Sequence, residues 1–286
     1  MGFAVFLALL VLAAPAPARE PLSVRWDPRV VHPGDVAVVF VTGLPDAKSI
    51  EGSLGGRPLT FFPYGDGFAA LAGLDLEVKP GRLTWRVGAV DAGGRPLKAS
   101  GTLQVKGRKF PVQRLTLPKE MVELDAPTLR RVEDESKHLA TLYATITPER
   151  LWRGRFTKPV GISDPGDGFG ARRIINGQPR APHAGLDYLA DAGTPVVAAN
   201  AGRVALMAEY FFPGRLVVID HGLGLYTLYF HLERAEVAEG DRVERGQTIG
   251  RVGSSGRATG PHLHFAAHLR HARIDPAGLL QLKLPE

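Results

Sequence analysis

The close spacing of glycine and proline is the feature that most constrains how this chain can fold. The 286 residues include 34 glycines and 23 prolines, and most apolar segments between them are only as long as a β-strand, about four to eight residues. Parallel neighbours need crossovers of a dozen or more residues, and the C-terminal segments leave no room for them. The sequence therefore predicts a mainly β protein whose C-terminal sheet is antiparallel.

An N-terminal unit is predicted over residues 19–108. Short alternating segments at 22–26, 36–41, 83–87 and 101–105 are separated by turn-forming residues. Several short strands at this spacing are typical of a β-sandwich, and we expect an immunoglobulin-like one. The unit contains no group of residues that resembles a chemical site, and its one histidine, His32, lies beside a turn.

A connector is predicted over residues 109–152, and one amphipathic helix is its main element. Apolar residues recur there near helical spacing, with charged residues between them. The apolar positions are Leu129, Val132, Leu139, Leu142, Tyr143 and Ile146. Asp125 and Pro127 suit a helix start, and Pro148 suits its end. We expect the apolar stripe to pack on a neighbouring element, and we interpret His138 as structural.

A C-terminal unit is predicted over residues 153–286, as an antiparallel β-sheet. Glycine or proline separates most of its strand-like segments. These segments lie at 196–199, 202–206, 215–220, 225–230, 246–252 and 264–269. Seven of the nine histidines of the chain follow residue 180, so we expect the chemistry of the protein in this unit.

The first 18 residues predict a signal peptide. An apolar run over residues 3–14 is followed by Ala16-Pro17-Ala18, which offers small residues where a signal peptidase cuts. Because no Lys or Arg precedes the run, an uncleaved anchor is the alternative. Cleavage after Ala18 leaves no transmembrane segment, and we expect an exported protein in the periplasm or extracellular envelope. The chain has no cysteine, which excludes disulfides and a lipid-modified cysteine.

The positive charge of the chain favours polyanionic partners. The formal net charge is +6, and the isoelectric point is about 9.7. No run of Lys or Arg with interleaved aromatic residues occurs, so nucleic acid is not a predicted partner. For an exported protein we expect an anionic cell envelope instead, although a charge of this size also serves ordinary colloidal stability.

Two short motifs combine into a metal-ligand set. His262 and His264 form H-x-H, and side chains two residues apart on a strand point to the same face. His183 and Asp187 form H-x3-D; on an ideal strand they would lie ~13 Å apart, and Gly185 between them allows a bend. Each motif alone is weak, since a solvent-facing pair or a chance match would look the same. Zinc hydrolases commonly hold their metal with three ligands from His, Asp and Glu, and together the motifs supply that count.

The segment from Phe156 to Pro276 resembles the lysostaphin-type, LytM-like zinc endopeptidases. The motifs that carry the resemblance are, in chain order, Phe169-Gly170-x-Arg172, His183-x-Gly185-x-Asp187, Gly193-Thr194-Pro195-Val196, Asp220-His221-Gly222, Tyr229-x-His231-Leu232, Gly253-x-x-Gly256-x-x-x-Gly260-Pro261-His262-Leu263-His264-Phe265 and Asp275-Pro276. The resemblance implies that His183, Asp187 and His264 bind one Zn²⁺ and that His231 and His262 are catalytic. It also implies a LytM-like (duplicated hybrid motif) antiparallel sheet with a groove over the metal, and a peptidoglycan peptide as substrate.

Two alternatives to a freely active enzyme stay open. Some relatives have lost ligands and act as inert activators or wall-binding proteins, but all five positions are filled here. The sandwich and the helix could also cover the groove until a regulator in the envelope displaces them. We interpret His221 as structural, and His268 and His271 as solvated residues near the chain end, with a position at the rim of the site as the alternative for His268.

Overall fold

The computed structural model describes residues 22–44, 47–161 and 168–283. The predicted signal peptide, residues 1–18, lies outside the described residues. Among the residues described, no helix has both the length and the apolar character needed to cross a bilayer. The unit boundaries at residues 108 and 152 stay a prediction.

The N-terminal unit is a sandwich of two sheets. Its strands are β1 (Ser23–Asp27), β2 (Val30–Val31), β3 (Val36–Thr42), β4 (Ser49–Leu54), β5 (Arg57–Pro58), β6 (Phe61–Tyr64), β7 (Gly67–Gly73), β8 (Gly81–Val90) and β9 (Pro96–Val105). One sheet has the order β1-β3-β7-β6 and the other β2-β9-β8-β4-β5. Val39 and Ala70 from the first sheet meet Leu103 from the second in one buried core. The predicted sandwich is confirmed.

The connector contains the predicted helix and an additional strand. Its elements are β10 (Val112–Leu115), a 3-10 turn (Lys119–Met121) and α1 (Ala126–Ala144). β10 forms a small sheet with two strands that follow the connector, β11 (Arg172–Ile175) and β12 (Gln178–Pro179). α1 begins as predicted, because the Asp125 side chain accepts a hydrogen bond from the Thr128 backbone N–H. The predicted antiparallel C-terminal sheet does not include β10 and β11, which pair in parallel in a separate small sheet. The 56 residues between them supply the long connection that parallel neighbours need.

The C-terminal unit is built on one nine-stranded sheet. Its elements are β13 (Gly185–Tyr188), β14 (Pro195–Val197), β15 (Gly202–Tyr210), β16 (Gly214–Asp220), β17 (Leu225–Ala235), β18 (Arg242–Val243), β19 (Thr248–Val252), β20 (Leu263–Leu269), β21 (Ala272–Ile274) and α2 (Pro276–Gln281). The order β13-β20-β17-β16-β15-β18 runs through the sheet, and each of these pairs is antiparallel. The predicted sheet is confirmed.

The sandwich packs directly on the edge of this sheet near β20 and β21. A Cβ built on Gly73 would lie 3.0–3.1 Å from Leu269, Ala272 and Ile274, which shows how closely β7 approaches. The Arg273 guanidinium binds the carboxylate of Asp75 at 2.8 Å. Buried residues of both units therefore belong to one continuous hydrophobic cluster.

α1 lies across the face of the sheet that carries His264 and His268. Tyr143 is the buried residue of the helix, and its ring stacks on His268 with 4.1 Å between centroids. It packs on a cluster that includes Leu216, Val218, Tyr226 and Leu228. Near the other end, Leu129 is 48% exposed. The helix is thus packed most tightly at its C-terminal end.

Candidate active site

The pairing of β13 with β20 brings the two predicted motifs together. In the antiparallel register, Asp187 lies opposite His264. Leu263 and Phe265 point to the opposite face and are fully buried, as the two-residue period of a strand requires. The core residues on one face of β20 therefore fix the direction in which His264 points on the other.

Gly185 allows His183 to reach the same point. His183 lies just before β13, outside the strand. A Cβ on Gly185 would lie 2.6 Å from the Phe265 carbonyl oxygen and 2.7 Å from His264 Nε2. Only glycine fits between the two strands at this separation, so the structure gives Gly185 a second role besides the bend expected from the sequence.

The geometry of His183, Asp187 and His264 fits a single metal ion. His183 Nε2 lies 3.1 Å from Asp187 Oδ1 and 2.9 Å from His264 Nδ1. His264 Nδ1 lies 2.8 Å from the same Asp187 oxygen. Ligands bound at zinc distances to a tetrahedral ion are separated by ~3.3 Å. Because imidazole and carboxylate are ligands that zinc prefers, both the spacing and the chemistry suit Zn²⁺.

The protonation states of this group suit metal binding. Burial raises the pKa of Asp187, but hydrogen bonds from His183 and His264 outweigh it and hold the pKa well below its usual range. Burial lowers the pKa of His264 to about 4, against the opposing effect of Asp187. At neutral pH the carboxyl is ionised and His264 is neutral, and these are the forms that coordinate metals.

His231 is directed at the group by an irregularity in β17. The register between β16 and β17 shifts between Arg215 and Val217. His231 has a φ of 63°, a backbone conformation that few residues other than glycine adopt. Its Nδ1 donates to the Ser255 carbonyl oxygen at 2.8 Å. The lone pair is therefore on Nε2. Burial, then His264 and His262, lower the pKa of His231 to about 3, so the ring is neutral at pH 7.

His262 lies beside His231, with 4.7 Å between ring centroids. Its Nδ1 donates to the Gly260 carbonyl oxygen at 2.8 Å. Its Nε2 lies 3.9 Å from Asp187 Oδ1. Both histidines that the resemblance marks as catalytic thus lie beside the ligand group, each bonded through Nδ1 to a backbone carbonyl oxygen.

The remaining histidines of this unit lie away from the group or are structurally committed. His221 is fully buried, and its two nitrogens contact the Ala201 carbonyl oxygen and Thr227 Oγ1, both at 2.7 Å. The expectation of a solvated His268 is wrong, because the α1 ring of Tyr143 stacks over it. His271 lies exposed in the turn before β21.

A cavity of about 540 Å³ opens in front of the ligand group. His183, His231 and His264 line one side, and Leu129 and Val132 of α1 line another. Three arginines also line it, Arg173, Arg180 and Arg257. Sequence reasoning missed them because they come from separate loops and strands, and no spacing relates residues 173, 180 and 257.

A His–Asp–His ligand group on an antiparallel sheet, with two further histidines beside it and a cavity in front, is the site of a metal-dependent hydrolase. Residues 181–276 match the family model described as peptidase family M23. A crystal structure from Pseudomonas aeruginosa assigned to peptidase M23 is 30% identical; the match covers 87% of this chain and 94% of that one, with a TM-score of 0.66. The chain belongs to peptidase family M23, and the resemblance seen in the sequence is confirmed.

Curated relatives match part of the chain. The peptidoglycan DD-endopeptidase ShyC of Vibrio cholerae is 42% identical over 120 residues, which are 39% of this chain and 28% of that protein. The DD-carboxypeptidase/endopeptidase Mpg of Neisseria meningitidis is 42% identical over 104 residues, or 36% of this chain and 24% of that protein. The matches thus span about a quarter of the length of these relatives.

Proposed function

We propose that this protein is a zinc-dependent endopeptidase that hydrolyses peptide cross-links of bacterial peptidoglycan. The observation that carries the proposal is the complete set of five residues: His183, Asp187 and His264 as metal ligands, with His231 and His262 beside them as catalytic residues. An inert activator would not need all five in working geometry. The relatives named as peptidoglycan endopeptidases support the choice of substrate.

The roles of the residues follow from their hydrogen bonds. When bound by the three ligands, Zn²⁺ would polarise the scissile carbonyl and make water easier to deprotonate. His231 and His262 are each held through Nδ1 by a backbone carbonyl oxygen, so Nε2 is the nitrogen with which either ring can take the proton of the attacking water. The resulting imidazolium donates a hydrogen bond to the developing oxyanion. Its proton then passes to the amine nitrogen as the C–N bond breaks.

We place the enzyme outside the cytoplasm, in the periplasm or cell envelope. The predicted signal peptide and the net charge of +6 support this, since an exported basic protein meets an anionic wall. The predicted division into residues 19–108, 109–152 and 153–286 assigns the hydrolysis to the last unit. The sandwich is then available for docking or regulation.

The test is digestion of purified peptidoglycan by the mature protein loaded with zinc, followed by mass spectrometry of the released fragments. We expect cleavage of a peptide bond, its loss on adding a zinc chelator, and its return with added zinc. His264→Ala should abolish it, whereas His271→Ala, an exposed control outside the ligand group, should not. Fragments that are unaffected by the chelator would refute a zinc mechanism. A folded, zinc-loaded protein that releases nothing would favour the activator alternative.

We also propose that the connector restrains access to the site until a partner in the envelope displaces it. Val122, Leu124, Leu129 and Val132 line the cavity opposite the histidines. A wall polymer must enter from this side to reach the ligand group. Because Leu129 is half exposed, this part of the connector is packed too loosely to be a core element.

Two polar contacts hold the middle of α1 on the sheet and provide the test. Glu135 accepts a hydrogen bond from the Phe211 backbone N–H at 2.9 Å, and His138 Nδ1 lies 2.6 Å from the Tyr210 hydroxyl. Glu135→Ala with His138→Ala should raise the rate on intact wall severalfold. Lys137→Ala, at an exposed position of the same helix, is the control. Equal rates in folded variants would contradict the proposal. Truncation before residue 150 is a poorer test, since it removes β10, the partner of β11.

A further inference from the structure

Three arginines from separate parts of the chain form one wall of the cavity in front of the ligand group. Arg173 lies on β11, Arg180 follows β12, and Arg257 lies in the loop between β19 and β20. The opposite walls are apolar side chains of the connector and the histidines of the site. A molecule placed with its carbonyl at the ligand group therefore has this arginine wall beside it.

Inside the cavity no carboxylate of the described residues faces this wall, although Glu120, Glu123 and Asp125 line an adjacent pocket together with Arg257. Of the described residues that line the cavity, none is Asp or Glu. Arg173 reaches Asp187 at 3.4 Å, but that carboxylate is shared with the histidines. Arg180 donates to the Gln178 amide oxygen at 2.6 Å, and the Arg257 guanidinium lies 3.9 Å above the Phe212 ring. Within the described ranges, neither Arg180 nor Arg257 has a carboxylate within salt-bridge distance.

The arrangement leaves guanidinium donors available for an anion. A guanidinium has five N–H donors in a planar fork that matches a carboxylate with two parallel hydrogen bonds. Burial, with Arg173 and Arg180 adding to it, lowers the pKa of Arg257 to about 10. The group stays charged at pH 7, but the shift shows that the three cations repel one another. A bound anion would relieve that repulsion.

We propose that Arg180 and Arg257, with Arg173 behind them, bind a free carboxylate of the peptide that is cut, so that the enzyme selects acidic peptides. The inference rests on the proposed endopeptidase function and adds to it the recognition of the substrate. The occupant of the cavity must present a carbonyl to the ligand group, and a peptide does so. The anionic group that a peptide carries is a carboxylate, either at a chain end or on a side chain.

The experiment uses one cross-linked peptide in three forms: unmodified, amidated at the free chain ends, and amidated at the side-chain carboxyl. kcat/KM is measured for the zinc-loaded full-length protein and for Arg180→Gln and Arg257→Gln. Arg203→Gln, which removes an exposed arginine of β15 outside the cavity, controls for net charge. Binding of the same peptides to the metal-free protein is measured in parallel by calorimetry, and thermal unfolding checks the fold of each variant.

Amidation of one of the two carboxyl positions should lower kcat/KM about tenfold to hundredfold, the range for losing hydrogen bonds to a charged group. The carboxyl position whose amidation lowers kcat/KM identifies the carboxylate that the arginines bind. Arg257→Gln should lower the rate on the unmodified peptide toward that of the amidated one and leave the amidated rate unchanged. Arg257→Lys should keep only part of the native kcat/KM on the unmodified peptide, because a lysine lacks the planar fork.

Two outcomes overturn the inference. The three peptides could be cut and bound equally well by the native protein, or Arg257→Gln and Arg180→Gln could lower rate and binding for all three forms alike. Neither outcome touches the proposed function, because cleavage itself persists. If no peptide is cut, the proposed function fails, and the calorimetric comparison of acidic and amidated peptides still decides whether the arginine wall binds a carboxylate.

Discussion

Gly185→Ala should weaken metal binding without changing a ligand. The new methyl carbon would lie 2.6 Å from the Phe265 carbonyl oxygen and 2.7 Å from His264 Nε2, whereas ordinary van der Waals contact begins at 3.4 Å. Each of these neighbours must therefore move by about 0.8 Å. The carbonyl belongs to a paired strand, so relieving both contacts requires β13 and β20 to separate and the His264 ring to turn.

Both movements act on the ligand group directly. Asp187 and His264 face each other in the same strand pair, and their ligand atoms are 2.8 Å apart. Functional sites tolerate displacements of about 0.5 Å, which is less than the substitution demands. We expect zinc affinity to fall about tenfold to hundredfold, as when the support of a ligand is lost. Overpacking should also lower the free energy of unfolding by about 1–3 kcal/mol.

Zinc affinity is measured by competition with a chromophoric chelator, and stability by thermal unfolding of the metal-free protein. Gly168→Ala is the matched control, since a Cβ there meets nothing within 4 Å. If Gly185→Ala binds zinc as tightly as the native protein, the close approach of the two strands does not position the ligands, and the reasoning fails. Equal losses in both variants would show a general effect of alanine in this region.

Two further predictions use the other histidines. His231→Ala should lower turnover by about 10²–10⁴-fold while the zinc content is unchanged, because His231 is outside the ligand set. Loss of zinc from this variant would show that His231 is itself a metal ligand. Burial lowers the pKa of His268 to about 4, against about 6.5 in an unfolded chain, so the unfolded state binds the proton first as the pH falls. The free energy of unfolding should then decrease between about pH 6.5 and pH 4, by up to about 3 kcal/mol from this group. His268→Phe, which keeps the stacking on Tyr143, should remove the share of His268 from that decrease while His231 and His264 keep theirs, and an unchanged pH profile from denaturant titrations would refute the assignment.

Much of the fold was predictable because its signals are local. The alternation of residues 36–41 and the turn residues around it predict a strand of the sandwich, and β3 is found there. The start of α1 follows from Asp125, whose side chain needs only the N–H three residues later. His262 and His264 are predicted to point to the same face because side chains alternate along a strand with a period of two residues.

The parts that were not predictable depend on long-range pairing. Asp187 and His264 are 77 residues apart, and no periodicity of either segment sets the register that places them opposite each other. The amphipathic stripe of α1 predicts a partner surface but does not say which one. The interpretation of His268 was wrong for this reason, since its cover, Tyr143, comes from a different unit of the sequence.

The roles of the histidines are decided by what holds each ring. Nδ1 of His231 and of His262 is bonded to a carbonyl oxygen, which can only accept, so Nε2 is the nitrogen that each ring keeps for other partners. His221 has partners at both nitrogens and has none left for a substrate. His264 turns Nδ1 toward Asp187 and thereby toward the metal position. In the proposed mechanism, identical side chains in one sheet thus serve as base, structural link or ligand through the atom that each neighbour occupies, and those neighbours are fixed by the pairing of strands far apart in sequence.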